Sequence, residues 1–465
     1  MADQTLLQVF SEALGPSRII TDATTLALLA QDAMPPARLP TGTDVVQPLC
    51  VIRPESTADV ATVVRLANTH RLPVIPMGGG SGLMGGAASV VSGVVLDLRQ
   101  LQDIHIRAED RMADVSPGVT IKALNQAAAP HGLMCAHDPW TVAVATVGGT
   151  ISTNSLGYIG GKYGAMGEQV LGVEVVLPTG DILTTRAVEK ASTGPALHRL
   201  FVGAEGCFGI ITRATVRLFP LPQARLLEAW EFRDFATGFT AINALLNAGL
   251  RPGLLEYEDE EPAPEYHPPA TLYVSYEGPR RVAQAEAAEA ADIFRQYGRP
   301  LAQQQVQAFW AQRHDRGDAY AAARTAAAPW HRRHPPIDYL HVALPPTAVL
   351  EYRRQSLAML AQHRLRTHHT GLWGYAGLFS MVYSGADVPT LARAQDGLLR
   401  LCQDMQGAME YCHGVGMRLA PLMAREHGLG LDVLRQLKQG LDPHSVLNPG
   451  KLALTSTAGM RQPEE

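Results

Sequence analysis

The sequence predicts an α+β fold divided into two or three domains. The chain has 465 residues, whereas single hydrophobic cores stop growing at about 250–300 residues. Apolar runs of strand length alternate with amphipathic runs of helix length along most of the chain. Glycine is dense before residue 223 and sparse after it, which indicates that the two halves fold as different units.

The composition indicates a globular protein without a nucleic-acid partner. Hydrophobic residues make up 46% of the chain, charged residues make up 18%, and the formal net charge is −5. The five cysteines are scattered without paired spacing, which is typical of a reducing compartment. Because the sequence shows neither a signal-peptide pattern nor an apolar stretch of about 20 residues, we expect a cytoplasmic protein without a transmembrane segment.

The first unit begins with alternating helix and strand patterns. Residues 1–30 have helical periodicity. An apolar strand at 49–52 precedes a helix that Ser56 or Thr57 can cap, and a strand at 72–76 follows that helix. This order predicts a compact α+β unit.

A glycine loop follows the strand at 72–76. Six of the nine residues from Gly78 to Gly86 are glycine, and a second strand at 90–98 leaves the loop. Glycine lets several backbone N–H groups converge on one anion, so we interpret the loop as a phosphate cradle. A long flexible turn is the alternative. The loop matches neither the dinucleotide fingerprint, which needs a helix directly after it, nor a Walker A loop, which needs Gly-Lys-Ser/Thr.

A second stretch of small residues and hydroxyls occupies 138–157, with Asp138 as its single charge. Small side chains let backbone amides and hydroxyls reach a flat polar ligand. A helix start that packs closely through small residues is the alternative.

The second half reads as an α+β domain around an antiparallel sheet. Strand and helix patterns alternate to about residue 410. The strand patterns include 226–232 and 271–278, and the helical patterns include 235–247 and 281–297. Two segments lack a clear period. We interpret the acidic, proline-rich stretch 256–269 as a surface loop and 315–336 as irregular chain that can form part of a pocket.

Several motifs together resemble the FAD-linked oxidase superfamily of the vanillyl-alcohol oxidase and p-cresol methylhydroxylase type. Within it, the chain is most similar to the branch of D-lactate dehydrogenase, D-2-hydroxyglutarate dehydrogenase and the glycolate oxidase flavin subunit. The matching motifs, in family order, are VIRPEST at 51–57, the glycine loop at 77–86, ATVGGTISTN at 145–154, VEVVLPTG at 173–180, GAEGCFGII at 203–211, HGVG at 413–416 and LNPGK at 447–451.

The resemblance implies four segments. The fold would be a two-part FAD-binding domain of the p-cresol methylhydroxylase type plus a substrate or cap domain with an antiparallel sheet covered by helices. The expected boundaries are 1–45 for an N-terminal helical segment, 46–222 for the FAD-binding domain, 223–410 for the substrate domain and 411–465 for a C-terminal segment that returns to the flavin.

The resemblance also implies the cofactor-binding residues. Those expected near the pyrophosphate are Pro76, Met77, Gly78, Gly79, Gly80, Ser81, Gly82 and Leu83. Those expected along the ribityl chain and the isoalloxazine are Asp138, Thr146, Gly148, Gly149, Ser152 and Asn154, with Glu205, Gly206 and Ile211 on the adenine side and ring edge, and Asn448 closing over the flavin. Some relatives attach FAD through a histidine in the glycine loop. No His or Cys is present there, so non-covalent FAD is expected.

In the hydroxy-acid branch a metal ion lies beside the flavin, held by a His-x-Gly-Asp-Gly-Asn-x-His segment and a glutamate just before His-Gly-Ile-Gly. The corresponding positions here are Leu372, Phe379 and Cys412. Since a divalent site needs several nitrogen or carboxylate donors, no metal is expected. A shifted alignment in which His368 and His369 rebuild the site is the alternative.

The family position of His413 implies a catalytic base, since removing a hydroxyl proton needs a group that titrates near neutral pH. A histidine that only packs locally is the alternative. Arg313 resembles a family arginine that binds a substrate carboxylate, a task that a guanidinium fork suits. A surface helix arginine is the alternative. Tyr375 is a further catalytic candidate.

Trp373 and Tyr411 are candidates for lining the substrate pocket together with Tyr375, although aromatic residues at such spacing also occur in cores. Cys412 is either redox-active or simply buried.

Three functions follow from the resemblance. The first is FAD-dependent oxidation of the CH–OH group of a 2-hydroxy acid such as D-lactate or glycolate, with hydride transfer to flavin N5. The second is the same chemistry on a phenolic or other alcohol, and the third is a flavin subunit of a larger electron-transfer complex. The substrate stereochemistry, the electron acceptor and the oligomeric state, a homodimer included, stay open at this stage.

Overall fold

The computed structural model describes residues 2–326 and 336–455. Its helices are α1 (Ala2–Leu14), α2 (Ala23–Leu29), α3 (Thr57–His70), α4 (Ile121–Ala128), α5 (Val147–Thr153), α6 (Gly160–Tyr163), α7 (Met166–Gln169), α8 (Phe235–Asn247), α9 (Arg280–Phe294), α10 (Gln303–Gln312), α11 (Asp315–Thr325), α12 (Val349–Gln362), α13 (Val388–Asp404), α14 (Met423–His427) and α15 (Leu429–Leu441).

The strands are β1 (Ile19–Ile20), β2 (Cys50–Ile52), β3 (Val74–Met77), β4 (Val94–Asp97), β5 (Ile104–Arg107), β6 (Met112–Val115), β7 (Leu133–Met134), β8 (Val170–Val176), β9 (Ile182–Thr184), β10 (Ile210–Arg217), β11 (Phe219–Pro220), β12 (Ala224–Phe232), β13 (Leu255–Glu260), β14 (Ala270–Gly278), β15 (Gly298–Pro300), β16 (Ile337–Ala343), β17 (Arg366–Trp373) and β18 (Leu378–Ser384).

The first sheet has the order β1-β2-β4-β3, with β2 and β3 both parallel to β4. The hydroxyl of Ser56 accepts a hydrogen bond from the amide of Asp59 and caps α3, which buries its valine face. The order of strand, helix, strand, glycine loop and strand is therefore as predicted. The strand after the loop is shorter than predicted, because it begins only at Val94.

A second sheet has the order β5-β6-β10-β8-β9 and is antiparallel throughout. The short helix α5 packs against β10 and brings the second small-residue stretch to this sheet. The C-terminal segment returns to the first sheet, because Val74 donates to the carbonyl of Val446 and Asn448 donates to the carbonyl of Val74. Residues far apart in sequence thus meet around the glycine loop.

The third sheet is antiparallel, as predicted for the second half, with the order β15-β12-β14-β13-β17-β18-β16. One face packs under α8, α9, α12 and α13. Burial alternates along β16, where Leu340 and Val342 are buried and Tyr339 and His341 are half-buried. Alternation places the half-buried residues on the face away from the helices, which we name the open face.

The prediction of a surface loop was wrong for residues 256–260, and the prediction of irregular chain was wrong for residues 315–325. The acidic stretch at 256–269 begins inside β13, where Glu256 and Glu258 lie on the open face and the buried Asp259 pairs with Arg353. A strand tolerates acidic residues when one face is not covered by the core. The stretch predicted to be irregular at 315–336 is helical over α11, and its residues 327–335 lie outside the described part of the chain.

No helix among residues 2–326 and 336–455 is both long enough and apolar enough to cross a membrane. The five cysteines are all buried and unbonded to one another.

Candidate functional site

A cavity with an empty volume of about 1210 Å³, partly open to solvent, lies along the glycine loop. Volumes of several hundred Å³ hold ligands of cofactor size. The cavity wall combines the glycine loop, the start of α5, the turn at 205–211 and the segment at 412–413. These four pieces come from four separate parts of the sequence and meet only in the fold.

The glycine loop presents unused backbone donors to this cavity. Within the described chain, the amides of Gly78, Gly79, Gly80, Ser81 and Gly82 donate no hydrogen bond. A Cβ on Gly79 would lie 1.9 Å from the carbonyl oxygen of Val144, so only glycine permits this close approach. Gly80 has a φ of +68°. Free amides along a cavity wall can bind an anion such as a pyrophosphate.

Most of the predicted cofactor-binding residues line the cavity, and His413 lines it with them. Those on the wall are Pro76, Gly78, Gly79, Gly80, Ser81, Gly82, Leu83, Thr146, Gly148, Gly149, Ser152, Glu205, Gly206, Ile211 and His413. The predicted site residues that do not line it are Met77, Asp138, Asn154, Asn448, Arg313 and Tyr375.

Asp138 and Arg313 differ most from their predicted roles, because they pair with each other. The Nε of Arg313 lies 2.9 Å from Oδ2 of Asp138, and His314 Nε2 lies 2.8 Å from the other carboxylate oxygen. The guanidinium also donates to the carbonyl of Trp310 and stacks over its ring. The predicted carboxylate binder is thus already engaged by a buried carboxylate, which explains its place away from the cavity wall.

The other predicted residues off the wall support the backbone around it. The side-chain amide of Asn448 donates to the carbonyls of Gly86 and Glu205, so it ties the glycine loop to the turn at 205–211. Asn154 accepts from the amide of Gly167, and the sulfur of buried Met77 faces Arg324. Tyr375 donates to the carbonyl of Gly160 and is partly exposed.

Two buried carboxylates, those of Glu205 and Asp32, line the cavity beside the glycine loop. Glu205 accepts from the amides of Val415 and Gly416, and burial raises its pKa to about 7. Burial also raises the pKa of Asp32 to about 6 and lowers the pKa of the nearby Lys451 to about 8. Asp32 escaped the sequence analysis because it lies in the N-terminal segment without any motif.

His413 is held by Glu410. Oε1 of Glu410 accepts hydrogen bonds from the amides of Tyr411, Cys412 and His413 at 2.7–3.0 Å, and it lies 3.4 Å from Nδ1 of His413. Burial alone would lower the pKa of His413, but the neighbouring Cys412 and Glu410 outweigh burial and raise it well above 6.5. Because Nδ1 is shielded from solvent against Glu410, Nε2 is the ring nitrogen available for a proton.

A cluster of rings continues from His413 onto the open face. The rings of His413 and His341 lie 4.5 Å apart, and Tyr339 lies 5.7 Å from His413. Tyr411 contacts both His341 and Trp373. Trp373 and Tyr411 thus reach His413 through the ring of His341. Motifs alone could not distinguish this position from the hydrophobic core.

The residues at the family metal positions do not fit a metal. Leu372 and Phe379 are buried apolar side chains in the core of the second half, and Cys412 contacts the carbonyl of Leu156. His368 contacts Ser384 instead of a second ligand. The described residues do bring donor atoms of His341, Glu410 and His413 within 4.8 Å of one another, which is a different set from the one that the resemblance implied.

Sequence reasoning also missed part of the wall. The additional wall residues include Asp32, Met84, Gly86, Ala87, Pro117, Pro139, Trp140, Thr141, Thr150, Thr153, Ser155 and Leu156. Their nearness to the glycine-dense stretches was a usable signal for most of them. Pro117 and Asp32 gave no such signal.

Comparison with known proteins agrees with the geometry. A family model described as "FAD binding domain" matches residues 48–186, and one described as "FAD linked oxidases, C-terminal domain" matches residues 221–452. The D-lactate dehydrogenase of Archaeoglobus fulgidus is 30% identical over 414 residues, covering 86% of this chain and 90% of that protein. The glycolate oxidase subunit GlcD of Bacillus subtilis is 29% identical over 427 residues, covering 87% and 89%.

Solved structures show the same fold. The crystal structure of p-cresol methylhydroxylase with substrate bound aligns with a TM-score of 0.75 at 18% identity and covers 97% of each chain. Predictions of the superfamily, of FAD as cofactor and of an oxidoreductase are confirmed. The unused amides of the glycine loop and the size of the cavity fit the FAD that both family models imply. The chain belongs to the family of FAD-linked oxidases, whose FAD-binding and C-terminal domains it contains in that order.

Proposed function

We propose that this protein oxidises the CH–OH group of a 2-hydroxy acid to the 2-oxo acid, with non-covalent FAD as cofactor and without a metal ion. The observation that carries the proposal is His413, which lines the cavity with Nδ1 against Glu410 and Nε2 left to accept a proton. FAD, when bound, supplies the acceptor for the hydride that leaves the substrate carbon. His413 takes the hydroxyl proton, so proton and hydride leave the substrate to separate acceptors.

Positive charge behind the catalytic histidine supports an acid substrate. Arg38 and Arg418 share the single carboxylate of Asp338, so one positive charge is left in excess. Both guanidiniums stack on the ring of Tyr339, whose other neighbours are His413 and His341. Because the surrounding protein has a low dielectric constant, the field of this excess charge is weakly screened at the site. There it favours the binding of a carboxylate. Arg313 is no longer needed for that role.

A second candidate is the oxidation of an alcohol without a carboxylate. The engagement of Arg313 by Asp138 and the aromatic rings around His413 favour it. Anaerobic titration of the purified flavoprotein with D- and L-2-hydroxy acids and with benzylic alcohols distinguishes the two. Bleaching of the flavin absorbance by hydroxy acids alone supports the first candidate, and bleaching by alcohols alone contradicts it.

The pH dependence of catalysis is expected to report on His413. Since the pKa of His413 is raised, the free base is scarce at low pH, and kcat/KM is expected to rise as pH increases through that pKa. In Glu410→Gln the amide oxygen can still accept the three backbone hydrogen bonds, but the negative charge is gone. The pKa of His413 then falls, and the acid limb of the profile moves to lower pH.

The measurement is the pH profile of kcat/KM for the natural sequence and for Glu410→Gln. Glu351→Gln, at an exposed position on α12, serves as the matched control and is expected to leave the profile unchanged. An acid limb that stays in place in Glu410→Gln would show that His413 is not the titrating group.

Removal of divalent ions is expected to leave the rate of flavin reduction unchanged. The family metal positions carry Leu372, Phe379 and Cys412, which supply no suitable donor set. The rate is measured by stopped-flow absorbance before and after dialysis against EDTA. Loss of activity that zinc or manganese restores would contradict the proposal and would direct attention to His341, Glu410 and His413.

A further inference from the structure

The open face of the third sheet carries acidic and aromatic side chains beside the catalytic histidine. Glu256 on β13 stands opposite Trp373 on β17. Two residues further along β13, a second row of facing residues crosses four neighbouring strands. It consists of Glu258, Gly371, Ser380 and His341, each opposite the next. Facing partners in a sheet project to the same side, so these residues form one surface.

This surface is continuous with His413. The ring of His341 lies 4.5 Å from that of His413 and 6.5 Å from that of Trp373. Trp373 in turn lies 5.5 Å from Tyr158, whose chain segment borders the cavity at Leu156. A substrate whose reacting carbon is at His413 would therefore extend its other end along His341 toward Trp373 and Glu256.

Three polar atoms on this surface are buried and have no hydrogen-bond partner in the part of the chain that the structure describes. They are Oε2 of Glu256, Nδ1 of His341 and Nε1 of Trp373. Buried polar groups in folded proteins are normally paired, and one left unpaired is destabilising. Three such atoms on one face of the same sheet, beside the proposed base, indicate that a ligand completes their hydrogen bonds.

The charge of the surface limits what that ligand can be. No salt bridge connects Glu256 or Glu258 to a basic side chain in the described ranges. Burial raises the pKa of both carboxyl groups, and acidic neighbours along β13 raise each pKa further. A carboxylate brought here would meet no counter-ion among the described residues, whereas a hydroxyl or ammonium can donate to the carboxyl oxygens in either protonation state.

We propose that the open face around Glu256, His341 and Trp373 binds the end of the substrate remote from the oxidised carbon and selects a group that donates hydrogen bonds. The inference rests on the proposed function, because it assumes that the oxidised carbon lies at His413. The substrate class is a 2-hydroxy monocarboxylic acid with a hydroxylated tail. Dicarboxylic 2-hydroxy acids are disfavoured by the same surface.

The test uses a series of 2-hydroxy acids that differ only in the substituent at the fifth carbon. The four members are 2,5-dihydroxypentanoate, 5-amino-2-hydroxypentanoate, 2-hydroxyhexanoate and 2-hydroxyadipate, which carry hydroxyl, ammonium, methyl and carboxylate groups there. The holoprotein is expected to use the hydroxyl member with a kcat/KM about tenfold or more above the methyl and carboxylate members. The kcat/KM of the ammonium member, compared with that of the hydroxyl member, shows whether a positive charge strengthens the hydrogen bond that the tail donates.

Two variants locate the effect. Glu256→Gln is expected to reduce the preference for hydroxyl over methyl, because it changes the group proposed to accept the hydrogen bond of the tail. Glu260→Gln, at the exposed end of the same strand, is the matched control and is expected to keep the preference. A preference for the carboxylate member, or equal use of all four, would overturn the proposal.

A binding measurement separates this inference from the proposed function. Calorimetric titration of the flavin-loaded His413→Ala protein with the same series reports affinity without turnover. If no member reduces the flavin of the natural protein, the proposed function fails, yet tighter binding of the hydroxyl member still supports the tail site. Equal affinities for the four members overturn the tail site whether or not the flavin is reduced.

Discussion

Replacement of His413 by alanine is expected to lower kcat/KM for the substrate by about 10²–10⁴-fold, the usual contribution of a positioned general base. His413 is the only histidine on the cavity wall formed by the described residues. Its Nδ1 is held against Glu410, and no other group on that wall has both the accessible nitrogen and the partner. Rapid mixing with substrate under anaerobic conditions, followed at the flavin absorbance band, measures the loss.

Flavin content and stability decide how that loss is read. His413→Ala is expected to retain FAD, because the glycine loop that faces the pyrophosphate is untouched. Partial recovery of the rate with added imidazole would identify the missing base. Full activity of His413→Ala would contradict the proposed mechanism. Loss of flavin together with activity would instead assign His413 to cofactor binding.

Gly79→Ala is expected to yield a protein that purifies without FAD. The added Cβ would lie 1.9 Å from the carbonyl oxygen of Val144, closer than any non-bonded contact, so the loop must move away from the segment at Val144. The amides of Gly78 to Gly82 then no longer converge on one anion. The ratio of flavin to protein absorbance measures the outcome, and thermal unfolding reports whether the fold is kept.

The matched control is Gly440→Ala in α15, where a Cβ would meet nothing within 4 Å and the backbone is helical. That variant is expected to retain FAD and to be slightly more stable, because alanine favours helix. Gly149→Ala, with a Cβ 3.2 Å from the Thr146 hydroxyl, is expected to fall between the two. Stoichiometric FAD in Gly79→Ala would contradict the cradle assignment.

Local pattern was enough to predict the cofactor cradle. Six glycines between two apolar strands leave few alternatives, and the helix after Ser56 follows from a cap and a valine face. The motifs at 145–154 and 203–211 supplied further parts of the cavity wall because each is continuous in sequence. Such features depend on neighbours within a few residues, so sequence reasoning reaches them.

Partners distant in sequence escaped prediction. Arg313 looked like a free carboxylate binder, but Asp138 is 175 residues away and neutralises it. The acidic start of β13 looked like a loop, because the sequence does not show that one sheet face is left open beside His413. His341 carried no motif and reaches His413 only through the order of the strands.

By itself, then, the sequence determined the family, the glycine loop and the histidine proposed as the base, since these depend on contiguous motifs. Only the tertiary structure decided which arginines are free, that Glu410 holds His413, and that Glu256, His341 and Trp373 share a surface beside it. The physical reason is that a hydrogen bond or ion pair joins groups by distance in space, and strand order brings together residues that the chain keeps far apart.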